Sequence, residues 1–422
     1  MSNFSQAPHK VDGLVPFTFS IPKEEIDALN TLLKRPLPIA TWENSQQDGR
    51  FGVSRDWVAN AISQHKYQES INVIPNFKVP VEDDGETYDV HFAGLFSQKK
   101  DATPLLLSHG WPGSFLEFLP ILTKVQKQYA SDPASLPYHL IVPSVPGYGF
   151  TKISTKKNMT VFDASRILNK LMVKLGFKQY IAQGGDVGSM ITKTVVEEYD
   201  ECIAGHVNML MLNPPKGEGI PPPTEIEQRA LDRGAKFWES GMAYAMLHVS
   251  FLSIPEKKGS ARRIVGAAEV LIQFTIRIGE KMIDWSDETP SIETILGNVS
   301  LYWFTGCYPS SIYPYREVGD TLSDDEIFVA LTTTFLPRVK IIGPTARDRA
   351  VSGSMDKIKK PFGASWFPFE LANVPKSWAE ASGKVSFFKS HDKGGHFAAL
   401  EVPDALWQDI VEFVDHVHST RK

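Results

Sequence analysis

Cysteine is almost missing from this chain: its 422 residues hold only Cys202 and Cys307. That excludes a disulfide scaffold and fits a reducing compartment, so the expected location is the cytoplasm. No apolar run approaches the ~18 residues of a membrane-spanning helix. Met1 to Asn30 lack the apolar h-region of a secretory signal. Basic charge is not in excess, because 44 Lys and Arg against 49 Asp and Glu leave a net −5. A nucleic-acid partner would call for a basic surplus or stripe, so none is expected. No internal repeat and no low-complexity tract occurs, and no G-x-S-x-G sequence supports a serine hydrolase. What remains is an ordinary soluble composition, 42% hydrophobic and 22% charged. The length allows two to four units of ~100–200 residues, or one large core with insertions. With 25 Phe and 9 Trp the chain can line large pockets as well as fill a core.

The first ~100 residues are mixed in character. Ile21 to Glu25 predict a helix start, with Pro in the first turn and acids at the positive helix end, and Leu29, Leu32 and Leu33 as its apolar stripe. Trp57, Ala61 and Ile62 predict a second helix. Tyr88, Val90 and Phe92 alternate with Asp89, His91 and Ala93, as in a strand with one apolar face. From Pro104 the texture changes. Short apolar runs at Pro104–Ser108, Tyr138–Val142, Tyr180–Gln183 and His206–Leu212 alternate with amphipathic stretches carrying Leu116, Phe118, Leu119 and Leu122, then Ala164, Ile167, Leu168, Leu171 and Met172. That alternation predicts an α/β protein with a parallel sheet covered on both faces. Asn213 to Pro223 contain five prolines and two glycines and read as a linker. Residues ~224 to ~335 look helical, strand character returns at Lys384–Phe388, and a last helix around 401–418 carries Leu406, Ile410, Phe413 and Val417. The expected architecture is an α/β core (101–215 and 336–422), a helical insertion (216–335) and an N-terminal extension (1–100) wrapped on the core.

The sharpest local signal is the predicted strand that runs into Gly184-Gly185-Asp186-Val187-Gly188-Ser189 and then a helix. Small residues on both sides of a functional side chain suit a strained strand-to-helix turn. In esterases the exposed residue is Ser; here it is Asp186, which could also be a plain helix cap. Ligand chemistry in such sheets sits at the strand carboxyl ends. His396, in Gly394-Gly395-His396-Phe397, follows the last predicted strand, where this fold type carries its base. A third group must accept the imidazole N–H. Glu370 lies 26 residues before His396 in apolar surroundings, Asp356 sits in a solvated stretch, and Asp392 is too near to come from a separate strand end. An ester on Asp186 would need oxyanion donors, for which the N–H groups of Val187 and Trp111 are placed, although His109-Gly110-Trp111-Pro112-Gly113 is also an ordinary Gly-Pro turn. Tyr244, Tyr313 and Tyr315, in the helical insertion, could each donate to a leaving oxygen or simply pack.

Together these motifs resemble the microsomal-type epoxide hydrolases of the α/β-hydrolase superfamily, soluble fungal members above all. The resemblance rests on Asp48 to Gly52, His109 to Ser114, Gly184 to Ser189, Ala243 to Met246, Ser300 to Trp303, Tyr315 to Glu317, Pro361 to Gly363, Pro375 to Trp378 and Gly394 to Glu401. It implies an α/β-hydrolase fold with a helical cap inserted in the core. It implies Asp186 as nucleophile, His396 as base, Glu370 as orienting acid, and Tyr244 and Tyr315 as the pair that binds the epoxide oxygen, leaving Tyr313 a bystander. The Trp111–Pro112 bond is expected to be cis. Partners would be an epoxide and water, with no metal, no cofactor, no membrane anchor, and a cap-mediated homodimer. The cap segments Val249–Pro255 and Ala267–Leu271 depart from the family pattern, which bears on the pocket. A haloalkane dehalogenase with the same Asp/His chemistry, or a non-catalytic binding protein on this fold, are the alternatives. His416 and His418 read as solvated.

Overall fold

The computed structural model describes residues 4–34, 53–63, 71–215, 219–241, 244–245, 270–315 and 355–421. The Asp48–Gly52 motif and the divergent cap residues 249–255 and 267–269 lie outside these residues, as do Ala243, Met246, Arg316 and Glu317.

A nine-stranded sheet in the order β1-β2-β3-β5-β4-β6-β7-β8-β9 forms the centre. Strands β4 (Thr103–Ser108), β5 (Tyr138–Pro143), β6 (Tyr180–Gly184), β7 (Cys202–Val207), β8 (Phe362–Trp366) and β9 (Phe387–Ser390) are mutually parallel. The three strands of the N-terminal segment, β1 (Val15–Phe17), β2 (Asn76–Asp83) and β3 (Glu86–Leu95), extend the same sheet in antiparallel register, with Phe92 opposite Pro143 of β5. Successive side chains of a strand point to opposite faces. Leu106 of β4 therefore joins one core cluster, with Ile167, Leu171 and Val195 of the helices Val161–Lys174 and Val187–Glu198. Its neighbours Leu105 and Leu107 join the other, with Ile121 and Val125 of Leu119–Gln128 and Ile410, Phe413 and Val417 of Pro403–Thr420.

The helices at Lys23–Leu33 and Arg55–Ser63 form where expected, the first with Glu24 and Glu25 in its opening turn. Three expectations about the strands shift. The polar alternation in β3 ends at Val90, because beyond it the strand is paired on both sides and both faces are covered. His91 is fully buried there, its ring bonded to Ser144 Oγ (2.8 Å) and Asn76 Oδ1 (3.0 Å). The run His206–Leu212 is not one strand: β7 starts at Cys202 and stops at Val207, while Met209 and Leu210 stay buried outside the sheet, so hydrophobicity fails to mark the strand end. The last strand sits three residues later than the Lys384 start, at the half-covered sheet edge where the burial signal is weakest. Between β7 and β8 the described residues are helical at Glu225–Lys236, Val270–Asp284, Ile292–Thr305 and Tyr308–Ser311. His416 and His418 are not merely solvated; they contact Ser386 Oγ (3.3 Å) and Thr103 Oγ1 (2.9 Å).

Candidate active site

Asp186 sits between β6 and the helix Val187–Glu198 with φ 51° and ψ −125°. A non-glycine residue at such a φ is strained by roughly 1–3 kcal/mol and persists only where its surroundings hold it. Glycines permit the turn. A Cβ on Gly188 would stand 2.0 Å from the Ser108 carbonyl oxygen, and one on Gly110 2.2 Å from Asp186 Oδ1, so the helix and the β4 turn close directly on the aspartate. Its side chain does not cap the helix, which removes the plain-cap reading. Instead Oδ1 accepts the Trp111 N–H at 2.8 Å, with the Trp111–Pro112 peptide cis as expected, and Oδ2 lies 3.5 Å from His396 Nε2. Val187 supplies the first amide of the helix.

His396 is buried, and its Nδ1 bonds Glu370 Oε1 at 2.7 Å. Glu370 is 0% exposed, so its carboxyl has no contact with bulk water. The same oxygen accepts the Leu371 N–H at 2.6 Å. Of the acids left open by spacing, Glu370 is thus the one bonded to the histidine. Burial opposes a charge on His396, but Glu370 and Asp186 outweigh it and hold its pKa well above the ordinary histidine value.

The Trp111 indole links this group to the tyrosines. It stacks on Tyr244 at 5.1 Å between ring centroids and meets Tyr315 edge-on at 5.7 Å. The two tyrosine hydroxyls are 3.1 Å apart. Burial pushes both phenol pKa values up, so both hydroxyls keep their protons and can donate. Tyr313 packs elsewhere, edge-on to Tyr148 at 6.4 Å.

Spacing gave no hint of the residues that hold these loops. Asn298 Nδ2 donates to the Pro112 carbonyl and its Oδ1 accepts from Ser114 Oγ, both at 2.6 Å, while Tyr302 OH donates to the Gly113 carbonyl at 2.8 Å. The Trp285 carbonyl accepts the His396 N–H at 3.0 Å, and its indole meets the imidazole edge-on at 5.1 Å. Glu401 accepts the N–H groups of Asp287 (2.6 Å) and Phe397 (3.0 Å), and Asp287 Oδ2 accepts the Gly394 N–H (2.9 Å). Arg233 donates to the carbonyls of Phe369 and Asp284. His109 is a tether: burial lowers its pKa to about 4, and its neutral ring takes the Val145 N–H on Nε2 and reaches the Gly110 carbonyl from Nδ1.

A mixed sheet whose parallel strands deliver a strained residue at a glycine-lined elbow, facing a histidine from beyond the last strand, defines an α/β hydrolase. Residues 103–244 match the family model described as the α/β hydrolase fold, and residues 14–118 match that of the epoxide hydrolase N terminus. The solved Aspergillus niger epoxide hydrolase is 35% identical, with a TM-score of 0.80 over 98% of this chain and 99% of that one. Epoxide hydrolase 1 of Oryctolagus cuniculus is 28% identical over 96% of this chain and 89% of its own length. The juvenile hormone epoxide hydrolase of Bombyx mori, at 20% identity and a TM-score of 0.70 over 98% and 96% of the two chains, shares the fold. The chain belongs to the epoxide hydrolase family. Among the described residues no helix is long and apolar enough to cross a membrane.

Proposed function

We propose that this protein converts an epoxide and water to a vicinal diol through a covalent ester on Asp186. The observation that carries the reading is one residue, Trp111, whose amide is bonded to the Asp186 carboxylate while its indole packs on two protonated tyrosines. An anionic nucleophile and a pair of neutral donors are thereby held on either side of one side chain. That suits an oxygen leaving group that would otherwise depart as a strongly basic alkoxide.

In the first step an Asp186 oxygen attacks an epoxide carbon, the ring C–O bond breaks, and Tyr244 or Tyr315 gives its proton to the departing oxygen. Forming the ester removes the Asp186 charge that helps hold the proton on His396, so the imidazole pKa falls and the neutral ring needed to accept a proton becomes more populated. His396 then takes a proton from water, and the hydroxide attacks the Asp186 carbonyl carbon. The oxyanion faces the N–H groups of Trp111 and Val187; as the acyl C–O bond breaks, the imidazolium gives its proton to the departing alkoxide and the diol leaves with the oxygen that belonged to Asp186, while the proton of the re-formed Asp186 carboxyl returns to the tyrosine that gave one up. Glu370 fixes the tautomer and stabilises the imidazolium.

The core (101–215 and 336–422) carries the nucleophile, base and orienting acid, residues 216–335 act as the cap that supplies the tyrosines, and the N-terminal segment (1–100) supports the core. Small aryl or alkyl epoxides are the substrates this reading favours, with detoxification in the cytoplasm as the role and a cap-mediated dimer as the assembly. Halide release is disfavoured, because the residue after the nucleophile is Val187, which has no side-chain donor, and the paired hydroxyls suit oxygen.

The test is a single turnover of styrene oxide in heavy-oxygen water, with mass analysis of the peptide that contains Asp186. Label in the Asp186 carboxylate and unlabelled oxygen in the diol is the expected result. Diol formed without label in Asp186 would mean direct attack by water. No diol at all would move dehalogenation, or a narrower epoxide specificity, to the front.

A further inference from the structure

Glu370 lies on the loop between β8 and the helix Lys376–Ala381. Within that loop its N–H donates to the Phe367 carbonyl at 3.2 Å, and Asn373 Nδ2 donates to the carbonyls of Phe367 (2.8 Å) and Glu370 (3.3 Å). These bonds shape the loop, but its seat in the molecule depends on its neighbours. On one side the Phe369 N–H donates to the Gly394 carbonyl of the histidine loop at 3.1 Å. On the other stands the helix Glu225–Lys236 of the insertion, which meets the loop at three points. Arg233 donates from Nη1 to the Phe369 carbonyl and from Nη2 to the Asp284 carbonyl (2.9 Å), with its guanidinium carbon 4.6 Å from the centroid of the Phe369 ring. Gly234 passes so close that a Cβ there would stand 3.2 Å from the Leu371 carbonyl oxygen. Glu227 Oε1 accepts the Lys376 N–H at 2.8 Å. One helix thus holds the residues on both sides of Glu370.

We infer that Arg233 is a positioning residue for Glu370: it fixes the Phe369–Glu370 peptide and so aims the carboxylate at His396 Nδ1. A guanidinium suits the task, because its rigid fork can span two carbonyls that belong to different segments, Phe369 of the core and Asp284 of the insertion. A lysine would reach one of them. The charge of Arg233 acts in the same direction. Burial lowers the Arg233 pKa, and the carboxylates of Glu370, Glu401, Asp287 and Asp284 oppose that shift. The attraction is mutual, so the cation offsets part of the cost of a carboxylate at Glu370, which is 0% exposed and lacks a charged partner whenever His396 is neutral. Among the described residues Arg233 bonds main-chain carbonyls, so it acts on the reaction through Glu370 alone.

This inference rests on the ester route proposed above, and the experiment separates the two. Arg233→Met keeps most of the side-chain length and removes fork and charge, while Arg233→Lys keeps the charge and one donor. Stopped-flow tryptophan fluorescence follows alkylation by styrene oxide, and mass spectrometry of the quenched enzyme follows the ester. Proton NMR follows the hydrogen-bonded Nδ1 proton of His396, assigned by its loss in His396→Gln. The Met variant is expected to alkylate normally, to hydrolyse the ester about 10- to 100-fold more slowly, as for a displaced catalytic group, and to shift or lose the Nδ1 resonance. The Lys variant is expected to regain part of the hydrolytic rate. Should the Met variant fail to fold, the Lys variant carries the test, with hydrolysis slower than wild type and the resonance shifted. A lower melting temperature with hydrolysis and the Nδ1 resonance unaltered would reduce Arg233 to packing and overturn the inference, as would alkylation and hydrolysis falling in proportion. Absence of any ester in the wild-type protein would overturn the ester route instead. A shifted Nδ1 resonance in the Arg233 variants would then still support the positioning role, and an unshifted one would overturn it.

Discussion

Replacing Glu370 with Gln removes one charge and almost no volume, so its effect can be worked out from the pocket. Oε1 accepts from His396 Nδ1 at 2.7 Å and from the Leu371 N–H at 2.6 Å. A glutamine can satisfy both only by turning its carbonyl oxygen to that side. The amide nitrogen then takes the place of Oε2, which has no partner among the described residues. Turning it the other way would set an N–H against the Leu371 N–H and force the wrong histidine tautomer. The favoured variant therefore keeps the Nδ1–H tautomer and loses the charge that stabilises the imidazolium. Breaking a buried ion pair of this kind costs about 3–5 kcal/mol. At ~1.4 kcal/mol per decade the hydrolytic step should slow by about 10²- to 10⁴-fold. Alkylation needs no proton taken by His396 and should change far less. Stopped-flow tryptophan fluorescence would report both steps, since Trp111 and Trp285 flank the tyrosine pair and the histidine. A full-amplitude burst followed by a slow return is the expected trace. Hydrolysis within tenfold of wild type would refute the assignment of Glu370 as the group that stabilises charge on His396.

Other outcomes follow from the same geometry. Tyr244→Phe and Tyr315→Phe should each slow alkylation without blocking it, because the hydroxyls stand 3.1 Å apart and can share the oxygen. The double variant should lose general-acid help worth about 10²- to 10⁴-fold; equal rates for single and double variants would refute the pairing. Asp186→Asn, a neutral stand-in for the ester, should lower the His396 pKa, since the Asp186 charge is one of the groups that raises it. A proton NMR titration of the imidazole reads this. His396 is raised in the fold, so its protonation stabilises the protein fully below the ordinary histidine value, and that contribution is lost as pH climbs through the folded value. The pH dependence of stability above neutrality should therefore flatten in the Asn variant. Gly110→Ala should cut alkylation by displacing the carboxylate, with the fold retained by circular dichroism; unchanged alkylation would mean that the 2.2 Å approach relaxes freely.

How much of this was legible in the sequence depended on how local the signal was. The buried parallel strands and the elbow could be read because a strand, a glycine-flanked turn and a helix are consecutive, so one stretch carries all three. Spacing proposed His396 from chain order, but left Glu370 among three acids, because a contact across 26 residues leaves no periodic trace. The pairing of Tyr244 with Tyr315 spans 71 residues and came only from family resemblance. The β2–β3 hairpin was half missed, since His91 reads as the polar side of an alternating strand. Its two ring partners, Asn76 and Ser144, lie 15 and 53 residues away.

The inserted helices do more than cover the site. Three of the loops around the site are bonded to residues of the insertion: the Trp111 turn by Asn298 and Tyr302, the histidine loop by Trp285 and Asp287, and the Glu370 loop by Arg233. A cap held in this way would set the geometry of the core residues as well as supplying tyrosines. Asn298→Ala separates that role from simple packing. It strips a donor from the Pro112 carbonyl and an acceptor from the Ser114 hydroxyl, both buried, and each unpaired group costs about 1–3 kcal/mol. Thermal unfolding should register that loss. If the clasp also aims the Trp111 N–H, ester hydrolysis should fall by more than alkylation, because that N–H stabilises the tetrahedral oxyanion; a lost oxyanion donor costs roughly 3–4 kcal/mol, and a tilted one part of that. A variant that is less stable yet runs both half-reactions at wild-type rates would reduce the clasp to packing and leave the oxyanion geometry to the core alone.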